Sequence, residues 1–270
     1  MSFSIDGKTA IVTGAANGIG LAIARHFLDK GARVMFADMD EDRLDAEVGE
    51  DARGDGPVRM FAGDLREKLT IANLLSATID AFDRVDILVN ASRMVKLSDP
   101  LKLGEDCVDE MLQQNLLTAL RATQLTAKRM IQQAETLGED SEAPAGTIIN
   151  LSSVAVRRTQ ARLMGYSIAC AGVEQMTRSM ALALAPHRIR VNAVALGSVM
   201  SASLQAALKD DAEARGRIVA ATPLARIAPA SEVVETVQYL ASDAASFVTG
   251  QIIQIDGGRG IVDSAMPPAH

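Results

Sequence analysis

Thr13-Gly14-Ala15-Ala16-Asn17-Gly18-Ile19-Gly20 decides the reading of this chain. It follows a short β-branched run, Thr9–Thr13, and opens a segment in which Ile19, Ile23 and Phe27 recur at steps of four. A strand, a glycine turn and an amphipathic helix in that order make the first half of a β–α–β unit. Glycines at 14, 18 and 20 let the backbone turn tightly and approach an anion without a Cβ in the way. The helix that follows offers unpaired N–H groups and the positive end of its dipole. The stretch therefore predicts a pyrophosphate cradle, with Asn17 and Ile19 among its residues.

Outward from this loop, apolar β-branched runs alternate with segments of helical period. The predicted strands are Thr9–Thr13, Arg33–Asp38, Val58–Ala62, Val85–Asn90, Thr147–Leu151, Arg190–Val194 and Gln251–Ile255. Repeated β–α alternation predicts a parallel sheet covered by helices on both faces, and right-handed crossovers favour a doubly wound order. The expectation is one α/β domain over residues 1–270, a Rossmann-type sheet of about seven strands. Neither an internal repeat nor a domain linker interrupts it. The polar stretch Ala134–Gly146 reads as a solvated loop, and Ser201–Arg226 as a substrate-side loop with helical stretches. Residues 259–270 read as a loose tail.

Bulk properties exclude several classes. A net charge of −7 and a pI near 5.1 disfavour nucleic acid or an anionic membrane surface as partner, since both call for a basic footprint. No run of about eighteen apolar residues predicts a membrane span, and the N-terminus reads as a first strand rather than a signal peptide. The two cysteines, Cys107 and Cys170, lack metal-like spacing, and His26, His187 and His270 are far apart in sequence, so no metal site is expected. A reducing cytoplasm is the expected setting.

Asp38 ends the second predicted strand, at the carboxyl edge where such sheets bind ligands. A carboxylate there accepts hydrogen bonds from ribose hydroxyls and repels a 2′-phosphate. No Lys or Arg stands at 15, 16, 17 or 39 to attract that phosphate, so NAD(H) is expected over NADP(H).

These motifs, with those that follow, resemble the short-chain dehydrogenase/reductase family over about residues 5 to 260. The resemblance assigns Asp64 and Leu65 to the adenine end, and Asn90 to the end of the fourth strand. It assigns Gly197, Val199 and Ser201 to the carboxamide end, with Leu196 where the family has proline. Tyr166 matches the acid/base residue and Ser153 the serine that bonds the substrate oxygen, with Ser152 the alternative register. Asn115 matches the asparagine that holds a relay water. The family's Tyr-x-x-x-Lys here reads Tyr166-Ser167-Ile168-Ala169-Cys170, which puts a thiol at the lysine position. On a helix, residues four apart share a face, so Cys170 is expected where the ammonium would stand.

The lysine in such a site lowers the tyrosine pKa; a neutral thiol does not. Arg93 occupies a glycine position of the family pattern, and Arg93, Arg157 and Arg158 are the three candidates for a substitute charge. Cys170 itself reads as a small inert helix residue or as a reactive redox thiol. The resemblance implies an NAD(H)-dependent oxidoreductase acting on a small alcohol or ketone, slow or specialised for want of the lysine, and assembled as a homo-oligomer, dimer or tetramer. Val154, Leu163, Met164 and Met200 are expected to line an apolar or mixed substrate pocket. The rival reading is an NAD-binding scaffold, a pseudoenzyme that folds and oligomerises but catalyses little.

Overall fold

The computed structural model describes residues 2–136, 143–197, 199–201, 204–205, 208–209, 211 and 213–263. Seven strands pair in parallel: β1 (Thr9–Thr13), β2 (Arg33–Asp38), β3 (Val58–Ala62), β4 (Ile87–Asn90), β5 (Gly146–Ser153), β6 (Ile189–Leu196) and β7 (Ile252–Ile255). Their order is β3-β2-β1-β4-β5-β6-β7. The chain is a single α/β domain, as the alternation of patterns predicts.

The inner strands, β1, β2, β4, β5 and β6, alternate their side chains between two buried faces. Ala10 and Val12 of β1 join a core closed by α1 (Gly18–Asp29), α2 (Glu41–Ala52) and the helix Ser231–Ala241. Ile19, Ile23 and Phe27 supply the α1 side of that core. Ile11 faces the other way, into a core closed by α3 (Thr70–Phe82), α5 (Thr118–Glu135) and α6 (Met164–Leu184). The chain steps from β1 out to β3 and then crosses back to β4. The connections leaving β1 and β4 therefore diverge and open a crevice at the carboxyl edge of the sheet.

β4 begins two residues later than predicted. The Val85 N–H donates to Gln133 Oε1 (3.0 Å) and Gln133 Nε2 donates to the Val85 carbonyl (2.9 Å), so a side chain of α5 takes the place of a ladder partner. β5 and β6 run longer than predicted, and their pairing continues through Ser152↔Ala195 and Ser153↔Leu196. Polar serines at a strand end carry a weak β signal in the sequence, yet the pairing fixes Ser153 to a rigid element.

The expectation of a loose tail is corrected at its start. Arg158 Nε donates to the Arg259 carbonyl (3.0 Å) and its NH2 to the Gly260 carbonyl (2.8 Å) and to that of Val262, which tethers a short helical turn, Arg259–Ile261. The rest of the tail, 264–270, lies outside the described residues. So do 137–142 of the predicted Ala134–Gly146 loop, where α5 continues to Glu135 and β5 begins at Gly146. In the 201–226 region a short helix covers Ala214–Ala220. Residues 202, 203, 206, 207, 210 and 212 lie outside the description. Among the described residues no helix is long and apolar enough to cross a membrane.

At the amino edge, buried Asp86 accepts the Thr9 N–H (2.8 Å) and pairs with Arg84 (2.6 Å), joining the start of β1 to the approach to β4. Asp86→Ala leaves the buried Thr9 N–H without that acceptor. It is expected to cost about 2–3 kcal/mol, read as a lower urea midpoint with unchanged slope.

Candidate active site

The glycine loop closes on itself and on the loop after β4. Gly14 has φ +68°, a conformation that side-chain-bearing residues avoid. A Cβ on it would lie 2.7 Å from the Ser92 Cα, and one on Gly20 would run into the Gly14 carbonyl oxygen. The Thr13 hydroxyl accepts the N–H groups of Ala91 and Ser92, each at 3.1 Å. α1 begins at Gly18 with no side-chain cap on Asn17 and no acidic residue in its first turn. Its N-terminal N–H groups thus face the crevice free of a competing carboxylate, which suits an anionic ligand.

A groove of about 250 Å3 lies over this loop, lined by Gly14, Asn17, Gly18, Ile19, Gly20, Asp38, Met39, Ser92, Arg93, Gln114 and Ser201, among others. Asp38 Oδ2 accepts the Ala16 N–H (3.0 Å) and Oδ1 the Asp40 N–H (3.1 Å). The carboxylate is thereby held at the groove wall, where further lone pairs can receive ribose hydroxyls. Asp64 is engaged otherwise: Arg66 forks onto it (2.6 Å), and that hydrogen bonding holds its carboxyl below the usual carboxylate range. Leu65 beside it is buried. Asn90 turns its amide into the core, donating to Asn150 Oδ1 (2.8 Å) and Thr123 Oγ1 (3.1 Å). Gly197 packs on Val154 and Asp256, Val199 bridges to Ala228, and Ser201 Oγ accepts the Leu204 N–H (3.2 Å).

Asn115 sits in a π-helical turn, Leu112–Leu117, between the short helix Val108–Met111 (α4) and α5. Such a turn widens the helix and re-aims its side chains. The Asn115 amide grips Met94 twice: Oδ1 accepts the Met94 N–H (2.7 Å) and Nδ2 donates to the Met94 carbonyl (2.9 Å). Its neighbour Gln114 donates to Ser92 Oγ (3.1 Å). Sequence reasoning did not single out Gln114. The polar run Gln113-Gln114-Asn115, set in an apolar helical segment, was the available signal. The two amides clamp residues on either side of Arg93.

Tyr166 and Cys170 lie one turn apart on α6, both buried, in an apolar cluster with Met111, Ala155 and Ala169. Ser153, at the end of β5, interacts with the phenol through its side chain and accepts the Ala155 N–H (3.2 Å). Ser152 points away, toward the Cys170 carbonyl and Glu174, as strand alternation requires. Leu163 packs against this cluster, buried Val154 follows Ser153, and Met164 opens α6. The Met200 N–H donates to the Ala228 carbonyl (2.8 Å).

Arg93 NH1 donates to the Tyr166 hydroxyl at 3.0 Å. Arg157 is taken up by buried Glu174 (3.0 Å), and Arg158 by the carbonyls after β7. Of the three candidate arginines, Arg93 alone is hydrogen-bonded to the phenol among the described residues.

Burial pushes the Tyr166 phenol up to about 12; Arg93 and the Ser153 hydroxyl oppose the rise, and Cys170 adds to it. Burial also pushes the Cys170 thiol up to about 11. The thiol is therefore neutral near pH 7, which fits the inert reading rather than the reactive one. The arrangement can pass a proton between a phenol and a small polar guest beside Ser153. Among the described residues no group of three or more His, Cys, Asp or Glu stands ready for a metal ion.

A protein-family model described as enoyl-(acyl carrier protein) reductase matches residues 14–259. The 3-oxoacyl-(acyl-carrier-protein) reductase of Thermotoga maritima is 32% identical over 94% of this chain and 98% of its own. The cis-4-hydroxycyclohexanecarboxylate dehydrogenase of Sinomonas cyclohexanicum is 35% identical over 93% of this chain and 96% of its own. Among solved structures, the 3-ketoacyl-(acyl-carrier-protein) reductase of Brucella melitensis complexed with NADH superposes with a TM-score of 0.83 at 25% identity, covering 96% of this chain and all of that one.

Gly20→Ala tests the cradle. The new methyl forces the Gly14 carbonyl to move, at about 1–3 kcal/mol of stability. Dinucleotide binding, read by NADH fluorescence titration, is expected to weaken by about tenfold or more.

Proposed function

We propose that this chain, which belongs to the short-chain dehydrogenase/reductase family, transfers hydride between NAD(H) and a secondary alcohol or ketone. It is an oxidoreductase of the short-chain type. The finer reading rests on one observation: the Tyr166 hydroxyl, with Ser153 beside it, meets Arg93, a residue that also lines the groove over the glycine loop. A proton donor and a dinucleotide cradle thus adjoin each other.

The residues fit a dinucleotide. The Gly14–Gly20 backbone and the open α1 N-terminus would hold its pyrophosphate, and Asp38 its adenosine ribose. Gly197, Val199 and Ser201 would hold its carboxamide end, and Asp64 with Leu65 the adenine end. Asp38 at the groove wall, without a cation at 15, 16, 17 or 39, supports NAD(H) over NADP(H). The bound nicotinamide supplies or accepts the hydride. Ser153 orients the substrate oxygen, and Tyr166 gives that oxygen a proton in reduction or takes one in oxidation. Cys170, at the family's lysine position, contributes no charge. Val154, Leu163, Met164 and Met200 give the substrate side an apolar or mixed lining.

The scaffold reading is not favoured. The phenol keeps both Ser153 and a cation, and the similar proteins are reductases and dehydrogenases. Assembly as a homo-oligomer, dimer or tetramer, is part of the proposal and is supported by Ile168 and Leu182, exposed apolar residues on α6. A cytoplasmic setting is supported by two cysteines that form no disulfide.

With the phenol pushed up to about 12, its protonated form is abundant near neutral pH and its tyrosinate form scarce. Ketone reduction is therefore expected to hold level from pH 6 to 9, because Tyr166 stays protonated there. Alcohol oxidation should climb with pH, about tenfold per unit while the base is the minority form. Initial rates in both directions across that range test the sign. Tyr166→Phe should lower turnover by about 10²–10⁴ and leave NADH binding intact. Full turnover in Tyr166→Phe would refute the assignment.

A further inference from the structure

Building on the oxidoreductase reading, we propose that Arg93 is a catalytic residue. Its guanidinium holds the Tyr166 oxygen when the phenol gives up its proton, and its remaining N–H groups serve the dinucleotide groove. The charge that a helix residue supplies in a Tyr-x-x-x-Lys site enters here from the loop after β4.

Three observations carry this. The contact is direct, with Arg93 NH1 at 3.0 Å from the Tyr166 oxygen. Arg93 also borders two spaces: the groove lined by Gly14, Gly18 and Asp38, and a small cavity lined by Tyr166, Cys170, Asn115 and Asn150. It therefore stands between the cradle and the phenol. Finally, its backbone is built to hold it there. Gln114 fixes Ser92, Asn115 grips Met94 from both sides, and the Thr13 hydroxyl takes the Ser92 N–H. A guanidinium has five N–H donors, and one suffices for the phenol.

The charged and titratable groups around the phenol are few. Arg93 comes from the β4 loop and Cys170 from α6, and Ser153, from β5, is uncharged. Glu174, one turn beyond Cys170 on α6, is engaged by Arg157 and Arg178. Arg93 is the one group among these that favours the tyrosinate by charge. An arginine stays protonated across the working pH range. Arg93 therefore stabilises the anion by charge and by its hydrogen bond. In ketone reduction by NADH, hydride adds to the carbonyl carbon, and the carbonyl π pair becomes a lone pair on oxygen. The Tyr166 O–H bond breaks, and its proton goes to that oxygen. The tyrosinate remains against Arg93 until a solvent proton restores it.

The chain has no tryptophan and only two tyrosines, Tyr166 and Tyr239. In a Tyr239→Phe background, ultraviolet difference absorbance of tyrosinate thus reports Tyr166 alone, with no substrate or cofactor present. Circular dichroism at each pH reads the fold. Arg93→Gln is expected to cut the tyrosinate signal at pH 10.5–11 by about tenfold, one pH unit of upward shift. Arg93→Lys should retain most of the signal, and Arg93→Gln/Cys170→Lys should restore it. The pH limb of alcohol oxidation should move in parallel.

An unchanged tyrosinate signal in Arg93→Gln, or one lost equally in Arg93→Lys, would overturn the role of Arg93, whatever the activity. A shifted signal in a protein that turns over no alcohol or ketone would uphold Arg93 and sink the oxidoreductase reading instead. If Arg93→Gln fails to fold, the Arg93→Lys and Cys170→Lys titrations decide. Cys170→Lys, a second cation beside the phenol, is expected to lower the Tyr166 midpoint. Arg93→Lys is expected to leave it within about half a unit of the parent, and a rise of about a full unit or more there would overturn the proposal.

Discussion

The site depends on the contact between the glycine loop and the loop after β4. Gly14 leaves room for the Ser92 backbone, and the Thr13 hydroxyl binds two N–H groups of the same loop. The sheet reverses its winding between β1 and β4, so these loops must part. The threonine and the glycine join them again at the bottom of the crevice. The cradle thus acquires its floor, and residues 92–94 acquire a fixed path. A change of half an ångström here would move both the groove over the glycine loop and the guanidinium at the phenol.

The electrostatics of the phenol are a balance of burial against charge. An apolar cluster around Tyr166 and Cys170 disfavours the anion, and Arg93 favours it. Burial is the larger effect. The result is a proton donor that needs help from bound positive charge before it can act as a base. Burial of the phenol between α6 and β5 thus favours its protonated form, without any contribution from the substrate.

Much of this was legible in the chain. β1, β2 and β3 fall where the apolar runs predict; for β1 and β2 the reason is that parallel strands buried on both faces must be apolar on both. The start of β4 was not legible, since a distant side chain, Gln133, claims the Val85 backbone. Ser152 and Ser153 belong to β5 through pairing with β6, which local propensity does not encode. The π-helical turn at Asn115 leaves no periodic signal over six residues. Three arginines competed for the role at Tyr166. Their side chains are long, and only the fold reveals that Glu174 takes Arg157 and that the carbonyls after β7 take Arg158.

The clamp on residues 92–94 also bears on heredity. Position 93 and position 170 lie far apart in sequence, yet both bear on a single oxygen. A chain with lysine at 170 and arginine at 93 would crowd two cations against one phenol; a chain with neither would have none. On the proposed role of Arg93 the two positions form an epistatic pair, and substitutions at them are expected to be coupled rather than additive. A helix cysteine tolerated on this background would be a lesion on another, and the meaning of Cys170 is written at residue 93.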